Sequence, residues 1–200
     1  MVHLDGFAGI LQVDGYSGYR PLAAKNTVSL AFCWSHVRRR FYELAAAGPA
    51  PIASEALERI AELYKIEDEI RGGTHEERHV ARQEKSRSIT DSLAAWLREQ
   101  LGYISQKTKL AEAIRYAMSR WDGLTRFIDV GRIEIDSNTV ERSIRPIALN
   151  RKNALFAGSD AGAEHGATIA SLIETAKLND VEPLAYLSDV PHQDRQRASK

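Results

Sequence analysis

The chain has 200 residues, enough for one ordinary domain or a core with an appendage, and its 44% hydrophobic and 27% charged content is that of a globular protein. Lys plus Arg equals Asp plus Glu at 27 each, so net charge favours no class of partner, and any affinity for nucleic acid must come from local patches. Cys33 is the only cysteine, which excludes an internal disulfide framework, and no run of about 18 apolar residues suggests a membrane span. The opening MVHLDGFAGI lacks the basic and apolar regions of a signal peptide, so the expected location is the cytoplasm.

In chain order, the apolar run Ile10 to Val13 reads as a buried strand ending in the turn Asp14-Gly15. The β-branched and aromatic stretch Thr27 to Trp34 reads as a second strand. The alanine-containing segment between them has room for a helix, which predicts a parallel βαβ piece. The period then becomes helical. SHVRRRFYELAAAG carries Val37, Phe41, Leu44 and Ala45 on one face and stops at Gly48-Pro49. Ser54 is the expected N-cap of the next helix, with Leu57, Ile60, Ala61 and Tyr64 as its stripe and Gly72-Gly73 as its end.

A long helix is expected from about residue 76 to 101, polar at first, and another from about 107 to 130. Leu110, Ile114, Ala117, Met118 and Trp121 form the buried stripe of the latter. The last part predicts one apolar helix, a break at Asn179-Asp180 and a short helix after Pro183, with a frayed tail over 191–200. The fold class is therefore α+β and mostly helical. A two-strand pair is marginal by itself, so either the core is unusual or further strands are expected ahead of Met1.

Several residues carry chemistry. Glu141 follows Asn138 at capping-box spacing and precedes Arg145 by four, so a helix start would account for it. That account leaves unexplained the cations Arg142, Arg145, Arg151 and Lys152, which are the groups that phosphate contacts want. Val140, Ile144, Ile147 and Ala148 are the expected buried face of that helix, and Pro146 is expected to kink or end it.

Asp14 fits a turn residue, and it also stands where α/β folds place catalytic groups, at the C-terminal lip of a strand. An Asp and a Glu together can hold Mg²⁺ in two-metal phosphoryl chemistry. Cys33 and His36 have C-x-x-H spacing without a second cysteine to complete a usual zinc set. The adjacent Arg38 to Arg40 read as a solvated face, or as an addition to a phosphate-binding surface. His75 to His79 spell H-E-x-x-H, but the polar flanks favour a solvated helix start over a zinc hydrolase. The glycine-rich stretch Leu155 to Ala167 lacks the Walker lysine and reads as a loop packing near the site.

LQVDGYSGY, CWSHVRRRF, IEIDSNTVERSIRPIALNRKNALFAGSD and SLIETAKLNDVEPLAYLSDV, in this order, resemble successive signature blocks of the insertion sequence 66 transposases of bacteria. The resemblance covers the chain from about Gly6 to Val190 and implies a DDE enzyme with a ribonuclease-H-like core. It implies that Asp14 is the second acid of the triad and Glu141 the third, both holding Mg²⁺ or Mn²⁺. Arg142, Arg145, Arg151 and Lys152 would meet DNA phosphates, while Cys33 and His36 would form a structural motif. Glu134 and Asp136 are the alternatives for the third acid.

The implied organisation is a partial ribonuclease-H-like core with helical insertion at about 36–130 within residues 1–156, a C-terminal region over 157–190, and a disordered tail at 191–200. The implied function is metal-dependent DNA strand cleavage and transfer, and the implied partners are DNA and other transposase subunits, with no membrane and with nucleoid association when DNA-bound. The first triad Asp has no counterpart here, since Asp5 does not match its motif. The expectation is thus an incomplete copy with little activity alone. The alternatives are a non-catalytic DNA- or transposase-binding fragment that competes with intact enzyme, and a structural remnant.

Overall fold

The computed structural model describes residues 6–24, 27–150 and 158–189. They form two compact units, Met1–Asn138 and Thr139–Lys200. The fold is α+β and mostly helical, with one two-stranded parallel sheet.

The first unit begins with β1 (Gly9–Val13), a 3₁₀ turn (Ser17–Tyr19), α1 (Arg20–Ala23) and β2 (Val28–Phe32). The strands pair in parallel from Gly9↔Val28 to Val13↔Phe32, as the two β-rich runs and the short link between them predict. Val28 and Ala31 of β2 are buried, and Ala31 joins the core built by the helices that follow. These are α2 (Trp34–Ala46), α3 (Pro51–Glu69), α4 (His75–Ala81), a π turn (Arg82–Ser86), α5 (Arg87–Tyr103), α6 (Lys109–Met118), and the single turns α7 (Trp121–Leu124) and α8 (Arg126–Asp129). Trp34, Phe41, Ile60, Leu93, Ile114 and Phe127, one or more from each long helix, meet in a continuous core.

Two buried side chains tie this core together. Trp34 is fully buried; its indole N–H donates to the Leu124 carbonyl at 2.7 Å and its ring meets Trp121 edge-on at 5.6 Å. Arg82 is also fully buried. Its guanidinium donates to both Glu67 carboxylate oxygens, at 2.8 and 2.6 Å, and to the carbonyls of Phe127 and Ile133, each at 2.9 Å. A buried charge is tolerated only when paired and hydrogen-bonded in this way. The π turn shifts the helical phase so that Arg82, Ser86 and Thr90 face inward from a stretch that reads as polar.

Four expectations need correction. Helix α3 starts at Pro51 in its first turn, where the missing N–H costs nothing, so Ser54 lies inside the helix and donates its N–H to Ala50. Its inward stripe is Ala53, Ala56, Ile60 and Leu63, with Leu57 and Tyr64 at the margin. The helix expected over 107–130 breaks after Met118, because Gly123 lies flat on β2. A Cβ there would come within 2.4 Å of the Phe32 ring and 2.8 Å of the Leu30 carbonyl.

The other two corrections fall in the second unit, which contains most of α9 (Asn138–Asn150), α10 (Asp160–Leu178) and helical residues 183–189. Residues 160–167, expected as loop, are the first turns of α10, capped by the Ser159 hydroxyl on the Gly162 N–H. Val140, Ile144 and Ala148 of α9 are exposed rather than buried, the Ile147 side chain lies outside those described, and α9 continues past Pro146 to Asn150. The stripe is present in the spacing, but Ala176 is the only buried hydrophobic residue among the described residues of this unit. Proline removes one hydrogen bond, and an exposed helix loses little by leaving that carbonyl to water. The Asn179-Asp180 break is present, with Asp180 at φ 55°. The expected tail at 191–200 lies outside the described residues, and no described helix is long and apolar enough to cross a membrane.

Candidate active site at the end of the first strand

Asp14 is exposed immediately after Val13, the last residue of β1. One carboxylate oxygen accepts the Tyr16 N–H at 2.8 Å, an Asx turn that fixes the side chain at the strand's C-terminal lip. Gly15 follows at φ +94°, a conformation that favours glycine. It is also crowded, since a Cβ there would lie 2.8 Å from the Tyr116 hydroxyl and 3.0 Å from Arg120 Nε.

Helix α6 and the residues just after it close over this turn. The Tyr116 hydroxyl donates to the Asp14 carbonyl at 3.2 Å, and Arg120 donates to the Gly15 carbonyl at 3.3 Å. Arg40, from α2, and Arg120 both stack on the Tyr116 ring, each with its guanidinium carbon 3.9 Å from the ring centroid. Two cations on one ring lie no more than ~8 Å apart, a repulsion of about 2 kcal/mol at an effective dielectric near 20. The ring returns about 0.5–1 kcal/mol per exposed cation, so it offsets that repulsion without reversing it. Sequence spacing could not reveal this cluster, since Asp14 and Tyr116 are 102 residues apart. Only the Arg38–Arg40 run hinted at it.

Cys33 and His36 sit where β2 passes into α2. Cys33 is buried, its sulfur accepts the Ser137 N–H at 3.3 Å, and it lies 3.0 Å from the Ser35 hydroxyl; His36 is half-buried in the first turn of α2. The segment before α9 is held along its length. The Trp34 N–H donates to the Ile135 carbonyl at 3.1 Å, and Gln12 donates to the Glu134 carbonyl at 2.8 Å. Tyr64 donates to Asp136 at 3.1 Å, and Asp136 also accepts both the backbone and side-chain N–H groups of Asn138, at 3.0 and 2.7 Å. Burial, and then the Asp136 charge, push the Tyr64 phenol far above its ordinary range. Glu134 pairs with Arg78 at 2.8 Å. Gln12, Arg78 and the Tyr64–Asp136 bond escaped the sequence reading because the partners are remote in the chain.

Helix α9 begins at Asn138 itself, one residue earlier than a cap at that position requires. Glu141, in its first turn, and Arg142 and Arg145 are exposed, and all three belong to the second unit. Arg151 and Lys152 lie outside the described residues. The H-E-x-x-H stretch opens α4. Thr74 accepts the Glu77 N–H at 3.2 Å while Glu77 accepts the Thr74 N–H at 2.8 Å, a reciprocal capping box that accounts for Glu77, the residue after the motif's own glutamate, Glu76.

Comparison with known proteins places this architecture. Residues 1–165 match the model of the transposase IS66 family, and residues 171–190 match the IS66 C-terminal element. Relatives include three proteins of Sinorhizobium fredii, each named only as uncharacterized. The y4qI protein is 50% identical over 93% of this chain and 36% of its own length, y4jD 44% over 94% and 38%, and y4hP 40% over 94% and 37%. The chain thus spans just over a third of the length of these curated relatives. No solved structure matches it. With one model covering most of the sequence and the other its C-terminal element, the chain belongs to the IS66 transposase family.

Proposed function

We propose that the chain contributes part of a metal-dependent site for DNA strand cleavage and transfer, of the DDE type. The observation that carries this reading is the family match over 1–165 together with an exposed carboxylate, Asp14, on the C-terminal lip of a parallel βαβ strand. In this reading β1–α1–β2 belongs to a ribonuclease-H-like core within residues 1–156, and the helices over about 36–130 are an insertion in it. Residues 157–190 form the C-terminal region.

Asp14 and Glu141 are the two acids. Asp14 fits a divalent cation: it is a hard oxygen donor, exposed, and oriented by the Tyr16 N–H. Glu134, paired with Arg78, and Asp136, bonded to Tyr64 and Asn138, are the alternatives to Glu141 as the third acid. When bound, Mg²⁺ or Mn²⁺ supplies Lewis-acid polarisation of a phosphoryl oxygen and a more acidic water. The protein's own part is to orient the carboxylates and to hold the DNA backbone. Arg142, Arg145, Arg151 and Lys152 serve the second purpose, by arginine's paired hydrogen bonds to phosphate and lysine's point charge. Cys33 and His36 serve as a structural motif at the β2–α2 junction.

For residues 1–200 assayed alone we expect at most weak cleavage, because the family resemblance implies three acids and two are candidates here. Pure protein, supercoiled DNA and Mg²⁺ make the test. Robust nicking abolished by Glu141→Ala would refute the expectation of weak activity while supporting the acid assignment. A second reading, a non-catalytic DNA- or transposase-binding role, draws on the exposed Arg142 and Arg145. It requires salt-sensitive DNA binding that Arg142→Ala and Arg145→Ala weaken and that Asp14→Asn does not.

A further inference from the structure

We propose that Arg40 and Arg120, clamped on Tyr116 beside Asp14, form a phosphate-binding pair that takes a phosphodiester of the DNA strand presented to Asp14. The inference deepens the reading of Asp14 as a catalytic acid and rests on it for the identity of the ligand. Three observations carry it.

The first is charge. Both guanidiniums lie 3.9 Å from one ring centroid, and neither has a carboxylate partner among the described residues. By contrast, Arg39 next to Arg40 in the chain is bonded to Glu43 at 3.0 Å. Holding two like charges together without an acid raises the energy of the empty cluster, and an anion bridging them relieves it.

The second is unused donor capacity. Arg120 spends its hydrogen bonds on the carbonyls of Gly15 and Tyr116 and the Ser119 hydroxyl, at 3.3, 3.3 and 3.0 Å. Arg40 is exposed and makes no hydrogen bond to another described residue, so its forked edge is available for the paired contact that suits phosphate oxygens. Stacking on Tyr116 restricts the side chain in advance and lowers the entropy lost when the anion arrives.

The third is position. Tyr116 and Arg120 bond to the Asp14 and Gly15 carbonyls, so the cluster and the acid share one turn. The crowded, positive-φ Gly15 keeps that approach close. A phosphodiester reaching the Asp14 carboxylate therefore passes a pair of cations built into the same lip. Tyr116 acts as a positioning residue, through the two arginines rather than on the strand.

The test is fluorescence anisotropy of a labelled DNA duplex titrated with the full 200-residue chain at several salt concentrations. Arg40→Gln, Arg120→Gln and the double variant are compared with the parent, and thermal melts confirm that each is folded. The double variant is expected to bind about tenfold more weakly, with a log-affinity against log-salt slope flatter by about 1–2. Arg40→Gln, which removes no hydrogen bond to a described residue, keeps the test valid if Arg120→Gln unfolds the turn. Tyr116→Phe, which keeps the ring, is expected to retain most of the affinity.

An unchanged slope in Arg40→Gln and in the double variant overturns the pair and leaves the assignment of Asp14 standing. If the parent chain binds no duplex, both fall. Titration with inorganic phosphate separates the sources. Competition only at high concentration agrees with a polymer backbone site, whereas tight phosphate binding that duplex does not displace overturns the DNA assignment.

Discussion

The two units of this chain have similar local signals and unlike packing. In the first, amphipathic helices find one another, and Trp34, Phe41, Ile60, Leu93 and Phe127 are all shielded from water. In the second, α9 carries an equally regular apolar stripe, yet Val140 and Ile144 remain 59% and 54% exposed. Periodicity identifies a face that can be covered. Whether it is covered depends on what the rest of the molecule offers, and that is a tertiary property.

The largest effect sets the two units side by side. Trp34→Ala removes a fully buried indole and its bond to Leu124, and should cost about 3–5 kcal/mol in urea unfolding. Ile144→Ala on α9 should change stability by no more than about 0.5 kcal/mol. A comparable loss at both positions would erase the contrast and mean that α9 is covered in solution.

Arg82 sharpens the same comparison with a charged residue. Arg82→Ala leaves buried Glu67 with only the longer pairing to Arg78 at 3.9 Å and takes the donor from the Phe127 and Ile133 carbonyls, so a loss of about 3–5 kcal/mol is expected. Adding Glu67→Leu to Arg82→Met should recover much of it, because an apolar pair no longer desolvates a lone charge. Arg145→Ala, exposed on α9, should leave stability within about 0.5 kcal/mol of the parent.

A smaller loss than at Trp34 or Arg82 is expected at Tyr64. Its bond to Asp136 predicts a loss of about 0.5–1.5 kcal/mol for Tyr64→Phe at neutral pH. The phenol is raised in the folded state, so the folded protein holds its proton more tightly than the unfolded chain does. Its contribution is fully present below the ordinary phenol range and is lost as pH rises above it. Tyr64→Phe should therefore unfold less steeply with alkali, and an unchanged alkaline limb would contradict the buried Tyr64–Asp136 contact.

Much of the frame was legible in residue order. The β-branched runs around Val13 and Val28, the helical stripe of α2 and the Asn179-Asp180 break all come from local rules. Three kinds of feature did not. Arg82 sits in the polar run RQEKS, and nothing local says that a π turn will rotate it inward against Glu67. Gly123 gives no local sign that it must lie on β2, so the break after Met118 was invisible. The Arg40–Tyr116–Arg120 cluster joins two helices to the turn after β1 and exists only once the first unit has folded. Among the candidate acids, Asp14 was readable because a strand followed by Asp-Gly is a local pattern. Glu141 was readable mainly through its basic neighbours.

What most needs testing is the proposal that Asp14 and Glu141 are both metal-binding acids. Calorimetric titration of Mn²⁺ into the parent chain, Asp14→Asn, Glu141→Gln and the double variant tests it most directly. If both are, each single substitution weakens Mn²⁺ binding and the double variant binds most weakly of the four. Parent-like Mn²⁺ affinity in either single variant would contradict it.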